Sequence, residues 1–153
     1  MPTFTVSLDG KVLASVCTDG FEVLVIHISG TRVSEEFASL EMSAGHYTGD
    51  AKSTHLIWID SVPLDPGQRV QVDFAHKCET SHPGKTIAEL YPGEEGESVT
   101  DFTPTPEMFA ELRGRKQVRD GHSFEVLSPA GGALQAHTNP EEHGFGFNVI
   151  WNS

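Results

Sequence analysis

The sequence predicts a mainly β protein, either an antiparallel β-sandwich or a partly open barrel of about eight strands with one short helix. Several segments alternate apolar and polar residues with period two, as half-buried strands do. Asp-Gly and Pro-Gly pairs, which suit tight turns, separate these segments. One helix start is predicted, at Thr105 and Pro106. The 153 residues fit one domain, residues 1–153, and short strands at such spacing are typical of sandwiches and barrels.

The first half of the chain carries the clearest alternation. Phe4, Val6 and Leu8 alternate with polar residues, and Asp9-Gly10 follows as a hairpin turn. Further strands are predicted over KVLASVCT, FEVLVIHIS, HLIWIDSV and RVQVDFAH. The segment EEFASLEMSA is ambiguous between a strand and a helical turn, because Phe37, Leu40 and Met42 fit neither period.

The second half mixes strand, loop and helix signals. KTIAELY is interpreted as one more strand. Thr105 and Pro106 begin the predicted helix, as N-cap and first residue. The apolar residues of this helix are Met108, Phe109 and Leu112. HSFEVL, ALQAH and GFGFNVIW then predict a return to strands, the last with Phe145, Phe147, Val149 and Trp151 on one face.

Composition limits the function classes. Ten basic residues against 22 acidic ones give a formal charge of -12, which repels nucleic acid and anionic lipid and favours basic protein partners. No run approaches the ~18 apolar residues of a membrane span, and MPTFTVSLDGKV lacks the pattern of a secretory signal. We therefore expect a cytoplasmic protein in which Cys17 and Cys78 are free thiols.

The turn and strand segments of the first half carry a resemblance. They are Asp9-Gly10-Lys11, His55-Leu56-Trp58, Leu64 and Val70-Gln71-Val72. In this order they resemble small uncharacterised bacterial β-rich proteins that begin with a strand and a D/N-G-K turn and carry an H-L-x-W segment. The resemblance covers residues 1–76 and implies no activity, cofactor or site residue.

The stretch HKCETSH raises the question of a metal site. His76, Cys78 and His82 are zinc-type ligands, and the first two point to one side if a strand continues through them. Structural zinc sites use paired spacings, however, and no fourth ligand is evident. The favoured interpretation is a strand exit with a half-buried His76.

A second histidine cluster, HTNPEEHG, holds His137, Glu141, Glu142 and His143. These residues could bind a divalent cation, but acidic residues after Asn-Pro are typical of a solvated loop. No metal and no cofactor is favoured, with zinc kept as the alternative. No catalytic residue is assigned, because the chain has no nucleophile signature and no phosphate-binding loop.

An acidic segment is the most informative charge feature. No basic residue occurs between Lys85 and Arg113, whereas acidic residues are frequent there. The candidate partner-binding residues are Glu94, Glu95, Glu97 and Asp101. They could dock into a basic cleft, or they could belong to a solvated loop.

These observations lead to three functional hypotheses. The first is a cytoplasmic protein that binds another protein with a basic surface, such as an immunity protein or inhibitor that neutralises a basic toxin or enzyme. The second is a metal-dependent enzyme or metal-binding module that uses the clustered histidines. The third is a carbohydrate-binding or small-ligand-binding sandwich with Trp58 or Trp151 as an exposed platform.

Overall fold

A computed structural model of the chain describes residues 1–46, 54–94 and 103–153. The described residues form nine strands and two helices. The strands are β1 (Thr3–Leu8), β2 (Lys11–Cys17), β3 (Val23–Thr31), β4 (Ala38–His46), β5 (Thr54–Leu64), β6 (Val70–Ala75), β7 (Ser123–Leu127), β8 (Ala133–His137) and β9 (Gly144–Asn152). The helices are α1 (Ile87–Leu90) and α2 (Pro106–Gly114).

The strands form three antiparallel sheets, so the mainly β prediction is confirmed. One sheet has the order β2-β1-β6, a second the order β5-β4-β3-β9, and β7 and β8 form a separate hairpin. Strands make up 49% of the structure and helices 9%. No closed barrel forms among the described strands, and the prediction of a single helix is wrong because α1 occupies part of KTIAELY.

One apolar core joins the two larger sheets. Val6 and Val16 of the three-stranded sheet are fully buried, and they share a cluster with Leu24, Ile26 and Leu40 of the four-stranded sheet. Burying a side chain of this size contributes about 1.5–3 kcal/mol. The sheets therefore pack face to face as a two-layer sandwich.

The ambiguous segment EEFASLEMSA contains most of β4. Ala38, Leu40, Met42 and Ala44 are all buried, and they recur at every second position. Phe37 precedes the strand and is only partly buried. The period was hidden in the sequence because alanines, which carry a weak hydrophobic signal, occupy two of the four inward positions.

One side of the sandwich is covered by the chain between β6 and α1. The Ser81 N–H donates to the carbonyl of Ser15 on β2, at 2.9 Å. Lys85 exchanges two backbone hydrogen bonds with Ile57 on β5, at 2.8 and 2.9 Å. This segment therefore protects the outer edges of β2 and β5, and β6 and β9 are the other edge strands.

The β7–β8 hairpin rests on β9 through aromatic rings rather than backbone hydrogen bonds. Phe124 stacks on Phe145, with ring centroids 5.5 Å apart, and lies 6.4 Å from the Phe147 ring. The hairpin is held at its base by hydrogen bonds between His122 and Thr138. Within the described part of the chain, no helix has the length and apolarity needed to cross a membrane.

Candidate functional site

Helix α2 presents an apolar face to solvent. Met108, Phe109 and Leu112 have exposed fractions of 36%, 50% and 51%. No residue of α2 is buried, and the helix contacts no other helix or strand of the described structure. We call Met108, Phe109 and Leu112 the α2 apolar face.

The sequence specifies this helix locally at both ends. Thr105 is the N-cap, and its Oγ1 accepts a hydrogen bond from the Met108 N–H at 3.4 Å. Pro106 occupies the first helical position, where a missing N–H costs nothing. Arg113 stands in the last turn, where a positive charge suits the helix dipole. The predicted helix start is therefore confirmed.

Acidic side chains lie beside the α2 apolar face. Glu107 and Glu111 are four residues apart, so they share one flank of the helix. Glu111 lies 4.0 Å from Arg115, and both side chains are more than half exposed. Such an exposed pair is worth at most about 1 kcal/mol. Both glutamates are exposed, so a partner can approach their charges.

The acidic segment predicted to bind a partner is described only at its start. Glu94 is exposed, and its N–H donates to the Tyr91 carbonyl at 3.2 Å. Glu95, Glu97 and Asp101 lie outside the described residues. The four candidate carboxylates therefore remain a prediction from the sequence, and Glu94 alone is located, on the surface after α1.

Helix α1 holds the start of this segment against β5. The Thr86 side chain accepts from the Glu89 N–H, and the Glu89 carboxylate accepts from the Thr86 N–H at 2.8 Å. The Thr86 N–H and, second, the Thr86 hydroxyl, which donates to the same carboxylate at 3.1 Å, lower the pKa of Glu89. The predicted strand over KTIAELY is wrong here. A T-x-x-E capping box was the signal that could have identified the helix.

Tyr91 ties the end of α1 to the sandwich. Its hydroxyl donates to the Asp60 carboxylate on β5, at 2.6 Å. This hydrogen bond, together with the nearby negative charge of Asp60, raises the pKa of Tyr91. The contact holds the end of α1 against β5.

HKCETSH forms a covalent and hydrogen-bonded link to β2. Cys17 and Cys78 form a disulfide, with Cα atoms 4.9 Å apart, so the prediction of free thiols is wrong. The Cys17 N–H also donates to Thr80 Oγ1, at 3.0 Å. Sequence reasoning missed the pairing because the cysteines are separated by 61 positions, and only the tertiary structure brings them together.

The two histidines of this stretch do not join a ligand set. His76 is exposed rather than half-buried, and its ring meets the Phe74 ring edge-on. His82 Nδ1 lies 2.9 Å from Ser81 Oγ. Since Cys78 is in a disulfide, its sulfur is not available as a thiolate ligand. Across the three described ranges, no group of three His, Cys, Asp or Glu residues could hold a metal ion.

The second histidine cluster is organised by a buried arginine. Arg32 is 3% exposed, and its guanidinium donates to the carbonyls of Asn139 and Pro140. The Arg32 N–H donates to the His143 carbonyl at 2.8 Å. Glu142 accepts from the Asn139 N–H at 2.7 Å. HTNPEEHG is therefore an ordered turn, with His137 and Glu141 exposed on it.

His122 is a buried residue that the sequence did not single out. It is 3% exposed, and its ring lies between those of Phe37 and Phe145, at 4.7 and 4.8 Å. Its Nε2 lies 2.7 Å from the Phe37 carbonyl oxygen, whereas Nδ1 has no hydrogen-bond partner among the described residues. We assign His122 a packing role where the hairpin meets the sandwich.

Neither tryptophan is a free platform. Trp58 is partly buried, meets the Phe21 ring edge-on, and donates from Nε1 to the His82 carbonyl at 2.9 Å. Trp151 is partly buried against the core. Ring stacking with a sugar requires an open aromatic face, so these contacts do not favour the carbohydrate hypothesis.

Comparison of the chain with protein-family models, with curated proteins and with solved structures found no match. The arguments for function therefore rest on the residues of this chain.

Proposed function

We propose that the protein acts by binding another protein, one with a basic surface and an apolar groove. The observation that carries this proposal is the α2 apolar face, exposed on a chain of net charge -12. An amphipathic helix that inserts its apolar side chains into a groove is a common recognition mode. An immunity protein or an inhibitor of a basic enzyme or toxin would act in this way.

The length of α2 supports the proposal. Isolated helices shorter than about 12–15 residues are marginal in water, and α2 has nine residues. Packing of its apolar face would normally stabilise such a helix, yet no described part of the chain supplies this packing. A partner's groove would bury Met108, Phe109 and Leu112 and so stabilise the helix on binding.

The charge of the chain argues for the basic character of the partner. Glu107 and Glu111 flank the α2 apolar face, and Glu94, Glu95, Glu97 and Asp101 precede it in the sequence. Charges at the rim of an interface act mainly on the association rate and on its salt dependence. We therefore propose that the acidic residues steer the partner and that the apolar residues hold it.

The disulfide bears on the proposed compartment. A cytoplasmic protein was expected to keep Cys17 and Cys78 as free thiols, but the two cysteines are bridged. Disulfides persist in oxidising compartments and are rare in the cytosol. We propose that the protein meets its partner in an oxidising compartment.

The test compares two variants in partner capture. The first variant carries Met108→Gln, Phe109→Gln and Leu112→Gln, because glutamine keeps a high helix propensity. The matched control carries Val12→Thr, Leu127→Gln and Leu134→Gln, three side chains with exposed fractions of 55%, 57% and 59%. In cell extracts, wild type and the control should capture a basic protein that the first variant does not capture. The same difference should be found with the purified partner.

The energetic scale sets the expected loss. Hot-spot residues of an interface cost about 2 kcal/mol or more each when truncated, so a triple variant that removes two of them should weaken the affinity for the partner more than 100-fold. Glu107→Gln with Glu111→Gln should instead slow association and leave dissociation nearly unchanged. Equal binding by both triple variants, or a partner without a basic surface, would contradict the proposal.

A further inference from the structure

Strand β9 forms a sheet edge along which no described part of the chain makes backbone hydrogen bonds. It spans nine residues, GFGFNVIWN, without a charged residue or a proline. It pairs with β3 in unbroken register from Val23–Asn152 to Thr31–Gly144. Natural edge strands are usually protected by lysine, proline or a bulge, and β9 has none of these devices. The edges of β2 and β5, by contrast, are covered by residues 78–85.

The hydrogen bonds that flank β9 show which of its backbone groups point outward. The Arg32 N–H donates to the His143 carbonyl, and the Ser153 N–H donates to the Glu22 carbonyl, at 2.8 and 2.9 Å. In an antiparallel pair, bonded and non-bonded positions alternate. Odd-numbered residues of β9 therefore bond to β3, and even-numbered residues direct N–H and C=O groups away from the sheet. These are Gly144, Gly146, Asn148, Ile150 and Asn152.

We propose that this edge pairs with the same edge of a second copy of the chain. An antiparallel pair with its two-fold axis at Asn148 places Gly144 opposite Asn152 and Gly146 opposite Ile150. Every outward-facing residue then meets another outward-facing residue, so both copies satisfy their free backbone groups together. The two four-stranded sheets would join into one continuous sheet across the axis.

Side-chain chemistry favours a second copy as the occupant. No charged residue lies in β9, so no like charges face each other across the axis. Ile150, which is 59% exposed, would pack beside the side-chain-free Gly146 of the other copy. The β7–β8 hairpin contacts β9 through Phe145 and Phe147, whose side chains face inward. The hairpin therefore lies over the face of the sheet, and its described residues form no backbone hydrogen bonds along the β9 edge.

The net charge predicts an unusual salt dependence. Each copy carries a formal charge of -12, and this repulsion opposes association at low ionic strength. Salt should therefore strengthen the dimer, whereas it should weaken docking to a basic partner. A single strand pair buries little surface, so we expect a dissociation constant in the micromolar range. The dimer and the proposed partner binding can thus fail independently.

The experiment is sedimentation equilibrium of the full chain from about 10 to about 500 μM, at about 0.05 and about 0.5 M salt. Wild type should approach the dimer mass at high concentration, more readily at high salt. Ile150→Pro removes an outward N–H without removing a hydrogen bond to β3, and it should remain monomeric. Ile150→Thr keeps that N–H and a β-branched side chain, and it should still dimerise.

Amide hydrogen exchange keeps the test decisive if the proline variant does not fold. In wild type, the amides of Gly146, Asn148 and Ile150 should gain protection as concentration rises, whereas those of Phe147 and Val149 should be protected throughout. A monomeric mass under all conditions would overturn the proposal. Dimers of a folded Ile150→Pro variant, or equal protection of both sets of amides at low concentration, would also overturn it.

Discussion

The disulfide between Cys17 and Cys78 should supply a large part of the stability of the oxidised protein. It links β2 to the chain after β6 and closes a loop with a sequence separation of 61. In the chain-entropy description, a crosslink lowers the entropy of the unfolded chain by about 2.1 + 1.5R ln n cal/mol/K. For n = 61 at about 298 K this amounts to about 4 kcal/mol.

Strain in the native state and residual structure in the unfolded state reduce the stabilisation by a disulfide in many proteins. The expected contribution is therefore about 2–4 kcal/mol. For a domain of this size, such a loss corresponds to a fall in Tm of roughly 4–16 °C. It is a considerable fraction of a total stability of about 5–15 kcal/mol.

The assay is urea unfolding of wild type with and without reductant, since the two samples differ only in the crosslink. Cys17→Ala with Cys78→Ala should match the reduced wild type, apart from the small cost of truncating the buried Cys17 side chain. Thiol titration of the denatured, unreduced protein should detect no free thiol. Two free thiols per chain, or equal midpoints with and without reductant, would refute the reasoning.

Two further predictions concern packing and titration. Gly30→Ala should destabilise the fold by about 1–3 kcal/mol, because its Cβ would lie 2.6 Å from the Phe37 carbonyl oxygen. The exposed Gly114→Ala, which meets open space, should be neutral or stabilising in the same urea titration. Tyr91 should ionise at a higher pH than a free tyrosine, because its hydrogen bond to Asp60 favours the protonated phenol. Its small contribution to stability should be present below the ordinary tyrosine pKa and be lost as pH rises through the folded pKa. Subtracting the absorbance titration of Tyr91→Phe from that of wild type isolates this residue, and Asp60→Asn should return its pKa toward the ordinary value.

Most of the fold could be predicted because strand signals are local. Alternation identified β1 and β6, and Thr105 with Pro106 identified the start of α2. Two elements were harder to read. In β4, alanines hid the period, and in α1 a four-residue helix was too short to show one. The Thr86–Glu89 capping box is present in the sequence, but KTIAELY was interpreted as a strand without it.

The candidate site was predicted only in part. The apolar residues of α2 were identified as a stripe, but a stripe in a sequence normally packs against the same chain. Its exposure on the described structure could not be read from spacing. The sequence also could not show which backbone N–H and C=O groups of β9 point away from the sheet. Their direction depends on the strand order and on which residues of β9 pair with β3.

The sequence by itself determined the fold class, the acidic charge and the local ends of α2, because these depend on residue type and on spacings within about one element. Only the tertiary structure decided the partners of distant groups. It joined Cys17 to Cys78, placed Arg32 under the turn at Asn139, and enclosed His122 between two aromatic rings. The physical reason is that such contacts depend on how whole sheets pack. Residues 61 or more than 100 positions apart leave no local trace of their meeting.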